Sequence, residues 1–285
     1  MTTPIEDYPQ LARALGISSL YFKREDMHPY GSHKGRSIPH MIDHYIGQGK
    51  RDFVIASSGN AALAAGLYLQ GQEDTDYTLT IFIGENIDSE KEALLRESLT
   101  DKRISIEKTS RPQQKAFRLS DIKKLPNLRQ SQDDVAIEGY GSLAEELTEL
   151  KNLSAIFIPT SSGTTAEALA TFLPNIEIHI VQTSSVNPIA QFFDITSAHS
   201  ESSIASAIVD RVAHRKDSLV SKIQESNGSG WIIQDKEILE AQKLTLEHTG
   251  IEISTNSALS IAGLQRAINA GKKWDGSVVC LITGK

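Results

Sequence analysis

Short apolar runs alternate along the chain with longer stretches of helical periodicity. The runs at Leu20–Phe22, Phe53–Ala56, Leu79–Ile83, Ile104–Glu107, Ala155–Ile158, Glu177–Val181 and Val278–Ile282 read as strands. Helix-type spacing of apolar residues fills the intervals, so the pattern predicts repeated strand–helix units and an α/β fold. Polar stretches punctuate it. Residues 121–134 are expected to form an exposed connection, and 200–206 and 225–230 read as loops. No internal repeat or low-complexity segment interrupts the series.

Three of these strands run into small polar residues. The run ending at Ile55 continues Ala56-Ser57-Ser58-Gly59-Asn60 before a helix rich in alanine. Such a turn offers amides and an Asn side chain at a strand's carboxyl end, where open α/β sheets bind ligands. The run ending at Pro159 continues Thr160-Ser161-Ser162-Gly163-Thr164-Thr165 and then the helical AEALATFL. Free amides, hydroxyls and a helix dipole converge there in the manner of a phosphate cradle. The buried-type run Val278–Ile282 delivers Thr283. A fourth segment, KREDMHPYGSHKGRS from Lys23 to Ser37, sets Lys34 behind a Pro-x-Gly-Ser turn, with Ser32 read as the N-cap of a helix starting at Lys34. A lysine in a first helical turn lies near the positive dipole end, which favours its neutral, carbonyl-attacking form. Taken singly, each feature also reads as an ordinary turn or a solvated lysine.

Composition narrows the class. The chain has 285 residues, 39% of them hydrophobic, enough for a full core in one large or two medium domains. A net charge of −7 without a basic stripe speaks against nucleic acid as a partner. No apolar run approaches the ~18 residues of a membrane span, and the first residues lack a signal-type apolar core. The single cysteine, Cys280, lies in an apolar strand and suits a reducing compartment, so a cytoplasmic location is expected. His40 and His44 are four apart but have no third ligand at a convincing spacing, and no metal is expected. Glu25 and Asp26 form an acid pair without the aromatic residues of a sugar site, the aromatic content being 6%. His33 is read as packing beneath the lysine helix in preference to a chemical role. GSHKGRS lacks the spacing of a nucleotide-binding P-loop.

The order of these four segments resembles the fold-type II pyridoxal-phosphate enzymes, the group of threonine synthase, threonine dehydratase, cysteine synthase and the tryptophan synthase β chain, over nearly the whole chain. The resemblance implies two three-layer αβα lobes with the cofactor between them. The larger is expected from residues 1–50 and 142–285, and the smaller, mobile one from 51–141, carrying the SSGN turn. It further implies pyridoxal 5'-phosphate as a Schiff base on Lys34, Asn60 against the cofactor ring, Ser161, Ser162, Gly163, Thr164 and Thr165 around the phosphate, and Thr283 at the pyridine nitrogen. Ser57, Ser58, Gly59 and Asn60 would bind the carboxylate of a small amino-acid substrate. A homodimer is implied as well. IEGYGSLAEEL from Ile137 and NSALSIAGL from Asn256 are similar to two further helix starts of the group.

Departures from the group's pattern discriminate among its reactions. His33 precedes the lysine as in the tryptophan synthase β chain, but that enzyme's acidic turn is replaced by SSGN. Where threonine synthases carry an arginine for the substrate phosphate this chain has Ala136, with Arg129 the nearest alternative. The phosphate loop has fewer glycines than is usual, and Gly35 stands where Asp or Ile is common. A neutral hydroxyl at the ring nitrogen favours elimination and replacement over transamination. The resemblance thus implies a lyase acting by β-elimination on threonine or serine. Its alternatives are γ-replacement on O-phosphohomoserine, cysteine synthase-type β-replacement, and a catalytically reduced, cofactor-binding regulatory protein.

Overall fold

In the computed structural model, which describes residues 1–74, 76–195 and 199–284, nine strands alternate with helices. They are β1 (Ile5–Asp7), β2 (Leu20–Arg24), β3 (Asp52–Ala56), β4 (Thr78–Gly84) and β5 (Ile104–Thr109) in the first part of the chain. β6 (Leu153–Pro159), β7 (Glu177–Thr183), β8 (Ser229–Ile233) and β9 (Ser277–Ile282) follow. Each of the seven apolar runs falls within one of these strands. Among the described residues no helix is long and apolar enough to cross a membrane.

Residues 1–28 and 140–285 form one compact unit. Its sheet has the order β1-β2-β9-β6-β7-β8, parallel throughout except for the antiparallel β1–β2 pair. All six residues of β9 are buried, and so are the last five of β6. Because successive side chains point to opposite faces, strands buried at every position have both faces covered, as the uninterrupted apolar runs require. Phe157, Cys280 and Val181 pack on one face with Ile238, Ala241, Leu259 and Ile261 of the helices Asp235–Thr249 and Thr255–Asn269. The helices Thr164–Phe172 and Lys216–Glu225 pack on each other and against β7. Lys23, fully buried, pairs with Glu146 and donates to the Thr3 carbonyl at 2.6 Å, which ties the first residues of the chain into this unit.

β8 corrects one sequence expectation. The segment 225–230, read as a loop, ends in the strand Ser229–Ile233, which closes one edge of the sheet. Its edge is covered by the turn at Ala190–Phe192: a Cβ at Gly230 would stand 2.8 Å from Ala190 Cα, and Ile232 N donates to Asp194 Oδ2 at 3.0 Å. Glycine is needed for that approach, and a Ser-Gly start conceals the strand from propensity.

Residues 29–139 form the second compact unit, around the parallel sheet β3-β4-β5. Phe53 and Ile55 face a core shared with Ile38, Met41 and Ile42 of the helix Lys34–Gly47 and with Ala62, Ala65 and Leu69 of the helix Asn60–Gln70. Val54, pointing the other way, meets Phe82 and Ala116. The apolar face of the Lys34 helix is thus spent in this core, and the division falls near residue 29, not at the expected residue 51. The stretch 121–134 is also less exposed than its polarity suggests. Leu128, Gln130 and Ser131 are buried, and Val54 bonds to both Pro126 O (3.1 Å) and Leu128 N (2.9 Å), extending the edge of β3.

Candidate active site

In the unit of residues 29–139, the turn before Lys34 is made by Gly31, at a φ of +75° that favours glycine. Ser32 Oγ accepts from Lys34 N at 3.3 Å, while His33 holds the formal N-cap position and does not cap the helix with its side chain. Ser32, expected at the N-cap, thus lies one residue before it, with its hydroxyl on the first N–H of the helix. Burial holds the Lys34 ammonium well below the usual lysine range, at about 8, and no hydrogen-bond or ionic partner meets its Nζ among the described residues. Desolvation without a compensating carboxylate is what pulls a lysine toward its neutral, nucleophilic form.

Ser57, Ser58 and Gly59 form the turn between β3 and the helix that begins at Asn60. Gly59 N donates to Ser57 Oγ at 3.3 Å, and the helix start has no side-chain cap. Residues 48–51 reverse the chain between the Lys34 helix and β3, and both helices pack on the same face of the sheet. The Lys34 turn and the Ser57–Asn60 turn therefore lie at the same end of this unit, the end to which β3 points.

Position 136 lies beside that lysine helix: Ser37 Oγ donates to Ala136 O at 2.8 Å, and Ala136 is fully buried. Arg129 instead donates to Ser131 Oγ at 3.2 Å. His40 Nε2 lies 3.3 Å from Glu138 Oε2, and His44 is bonded to Gln48. Among the described residues no group of three or more His, Cys, Asp or Glu is arranged to hold a metal ion.

In the unit formed by residues 1–28 and 140–285, β6 and β9 are neighbours, with Phe157 opposite Cys280. Three residues beyond each of those positions come Thr160 and Thr283, so the parallel register delivers the loop after β6 and Thr283 to the same sheet edge. The chain continues from β6 to β7 on one side, whereas β9 arrives on the other side after the long excursion through β8. Such a switch in connection direction leaves a crevice at the carboxyl ends of the strands.

Gly163 has a φ of +93° and caps the helix Thr164–Phe172, and a Cβ there would stand 3.0 Å from Leu219 Cδ2. Ser161 Oγ accepts from Val209 N (3.1 Å) and Asp210 N (3.2 Å), which fills its lone pairs and leaves its hydrogen to donate. Ser162 Oγ and Thr164 Oγ1 are 3.1 Å apart, and Thr164 and Thr165 are buried. Helix dipole, amides and hydroxyls here suit a dianion. Thr283 is buried, and the residue after it is fixed by Ser254 and Ser257, whose hydroxyls donate to Gly284 O. These two serines, Val209, Asp210 and Gln182, whose side-chain amide donates to Thr160 O and Ser161 O, were not singled out from the sequence, except that Ser257 lies in NSALSIAGL. Gln182 is the one with a signal, a polar residue inside an apolar strand.

The comparisons with known proteins follow the same lines. The family described as "Pyridoxal-phosphate dependent enzyme" matches residues 1–284. A threonine synthase of Methanosarcina acetivorans is 25% identical over 99% of this chain and 74% of its own length. A biosynthetic L-threonine dehydratase of Pasteurella multocida is 24% identical over 99% of this chain and 56% of its own length. Among solved structures, the processed form of threonine deaminase isoform 2 from Solanum lycopersicum superposes with a TM-score of 0.82 at 22% identity, covering 100% of this chain and 79% of that one. With a match that spans the chain and a shared fold, this protein belongs to the family of pyridoxal-phosphate dependent enzymes.

Proposed function

We propose that the protein is a lyase that eliminates the β-substituent of a small hydroxy amino acid, threonine or serine, to give a 2-oxo acid and ammonia. The residues present fit the cofactor. Lys34 supplies an amine whose pKa burial lowers to about 8, and Ser161 to Thr165 supply a helix start and amides suited to a phosphate dianion. When bound, pyridoxal phosphate supplies the electron sink for negative charge at the substrate's α-carbon.

The chain's own residues have separable tasks. Lys34 Nζ would hold the cofactor, and the same amine, when free, would take a proton from the substrate's α-carbon as a general base. The Thr283 hydroxyl would serve the cofactor's ring nitrogen as a neutral partner, which would leave the sink weaker than a carboxylate would and suit departure of a β-hydroxyl. Amides of Ser57, Ser58 and Gly59, with the Asn60 side chain, hold the substrate carboxylate.

The observation that carries elimination over reaction of a phosphorylated substrate is Ala136. Its carbonyl is bonded to Ser37, three residues along the helix from Lys34, and its methyl group is buried in the core, so this position supplies no cation for a substrate phosphate. A second reading, γ-replacement on O-phosphohomoserine, is favoured by the threonine synthase relative and by Arg36, buried in the first turn of the Lys34 helix. Parallel assays decide between them. Keto-acid release from threonine or serine supports elimination, and phosphate release from O-phosphohomoserine alone overturns it. Sulfide-dependent cysteine formation would point to β-replacement. Silence in all three with cofactor bound would point to a regulatory protein.

A further inference from the structure

We propose that Gln182 is the positioning residue of the phosphate loop: from the neighbouring strand, its side-chain amide turns the Ser161 and Ser162 N–H groups toward the anion. The inference rests on the reading that this loop takes the cofactor phosphate. Gln182 is fully buried in β7, beside β6. Its Nε2 donates to Thr160 O at 3.2 Å and Ser161 O at 3.4 Å, and its Oε1 accepts from Ile189 N at 2.9 Å and Ala190 N at 2.8 Å. A primary amide has two donor hydrogens and two acceptor sites, so every hydrogen-bonding position of this one is filled.

The direction of the loop amides follows from peptide geometry. In a trans peptide the carbonyl of one residue and the N–H of the next point opposite ways. With Thr160 O and Ser161 O turned to Gln182, the amides of Ser161 and Ser162 must point away from it. Neither amide has an acceptor among the described residues. The sheet ladder ends at Thr160 N, which donates to Val181 O at 2.9 Å, so beyond that residue the Gln182 side chain replaces the missing strand partner. Its other end fixes Ile189, whose Cδ1 would stand 3.3 Å from a Cβ at Gly163. The base of the loop and the residue packed at its glycine are thus held by one side chain. A carbonyl released from it could rotate into the loop mouth, where it would oppose a dianion.

The test compares pyridoxal phosphate with pyridoxal, which has the same aldehyde and no phosphate, on apoprotein of wild type, Gln182→Glu, Gln182→Leu and Gly163→Val. Affinities are read from the absorbance of bound cofactor and folding from the thermal midpoint of the apoprotein. Gln182→Glu keeps the acceptor and sets a carboxylate against two carbonyls, and it carries the test should Gln182→Leu not fold. Affinity for pyridoxal phosphate is expected to fall by about tenfold or more, the equivalent of one to two net hydrogen bonds, with pyridoxal binding unchanged. An equal fall for both ligands would reduce Gln182 to a structural role and overturn the proposal. If Gly163→Val weakens phosphate-dependent binding and both Gln182 variants leave it intact, the proposal falls while the loop assignment stands. If none of the three variants changes it, the loop assignment itself fails.

Discussion

Ser257 Oγ donates to the carbonyl of Gly284 at 2.9 Å, and through that bond the start of one helix fixes the end of the central strand β9. Ser254 reinforces it. As N-cap it accepts from Ser257 N at 3.3 Å and also lies 2.8 Å from Gly284 O. Thr283 therefore stands between a rigid strand and a clamped peptide. Replacing both serines by alanine removes the clamp and a helix cap, each worth about 1 kcal/mol. The expected outcome is a modest fall in thermal midpoint together with a larger fall in kcat and a shifted absorbance maximum of the bound cofactor. Unaltered kcat and spectrum would show that Thr283 needs no such support.

Lys34 gives a pH dependence whose sign is fixed by the direction of its shift. Burial lowers its pKa to about 8, so the amine is neutral above that pH and protonated below it. Covalent capture of pyridoxal phosphate by the apoprotein requires the neutral amine. Its rate should be flat above pH 8 and fall about tenfold per unit below it, following the neutral fraction. Stopped-flow absorbance across about pH 6 to 11.5 checks this. A break near the ordinary lysine value of about 10.4 would show that burial does not tune the amine.

A second titrating cluster lies on β7. The side chain of His179 is fully buried, stacked on Phe157 at 4.5 Å, accepting from Trp231 Nε1 and paired with Glu177 at 3.0 Å. Burial lowers the His179 pKa despite Glu177. Burial would raise Glu177, but hydrogen bonds from His179, Trp274 and Lys272 outweigh it and bring it to about 2. Both shifts make the unfolded chain the better proton acceptor. Stability due to His179 is present above its unfolded value of ~6.5 and is lost as pH falls below it, at up to about 1.4 kcal/mol per pH unit. The Glu177 contribution is present above about 4.5 and is lost as pH falls toward 2. Denaturant unfolding at pH 7, 6 and 5 should show the first loss, and His179→Gln should flatten it. An unchanged slope in that variant would assign acid sensitivity elsewhere.

The sequence carried the sheet-forming runs because buried parallel strands must be apolar at nearly every position, and the segments from Phe53, Ala155 and Val278 are. It did not carry β8, whose Ser-Gly start reflects close approach to Ala190 and not strand propensity. Nor did it reveal which sheet the Lys34 helix joins. Ile38, Met41 and Ile42 mark an apolar face, but the identity of the covering core depends on contacts with β3 and the following helix. Lys34, the Ser57–Asn60 turn, the Ser161–Thr165 loop and Thr283 were legible as local strand–turn–helix signals. Gln182 was not, because its partners Thr160, Ser161, Ile189 and Ala190 lie 22, 21, 7 and 8 residues away and only the fold gathers them.

The role of Lys34 is tested most directly by reduction of the cofactor-loaded protein with borohydride, followed by peptide mapping. Reduction makes the link between lysine and cofactor permanent, so the label reports which amine held it. A single labelled peptide containing Lys34 is expected, with no label or turnover in Lys34→Ala of unchanged fold. Label on any other lysine, or labelling that persists in Lys34→Ala, would contradict it.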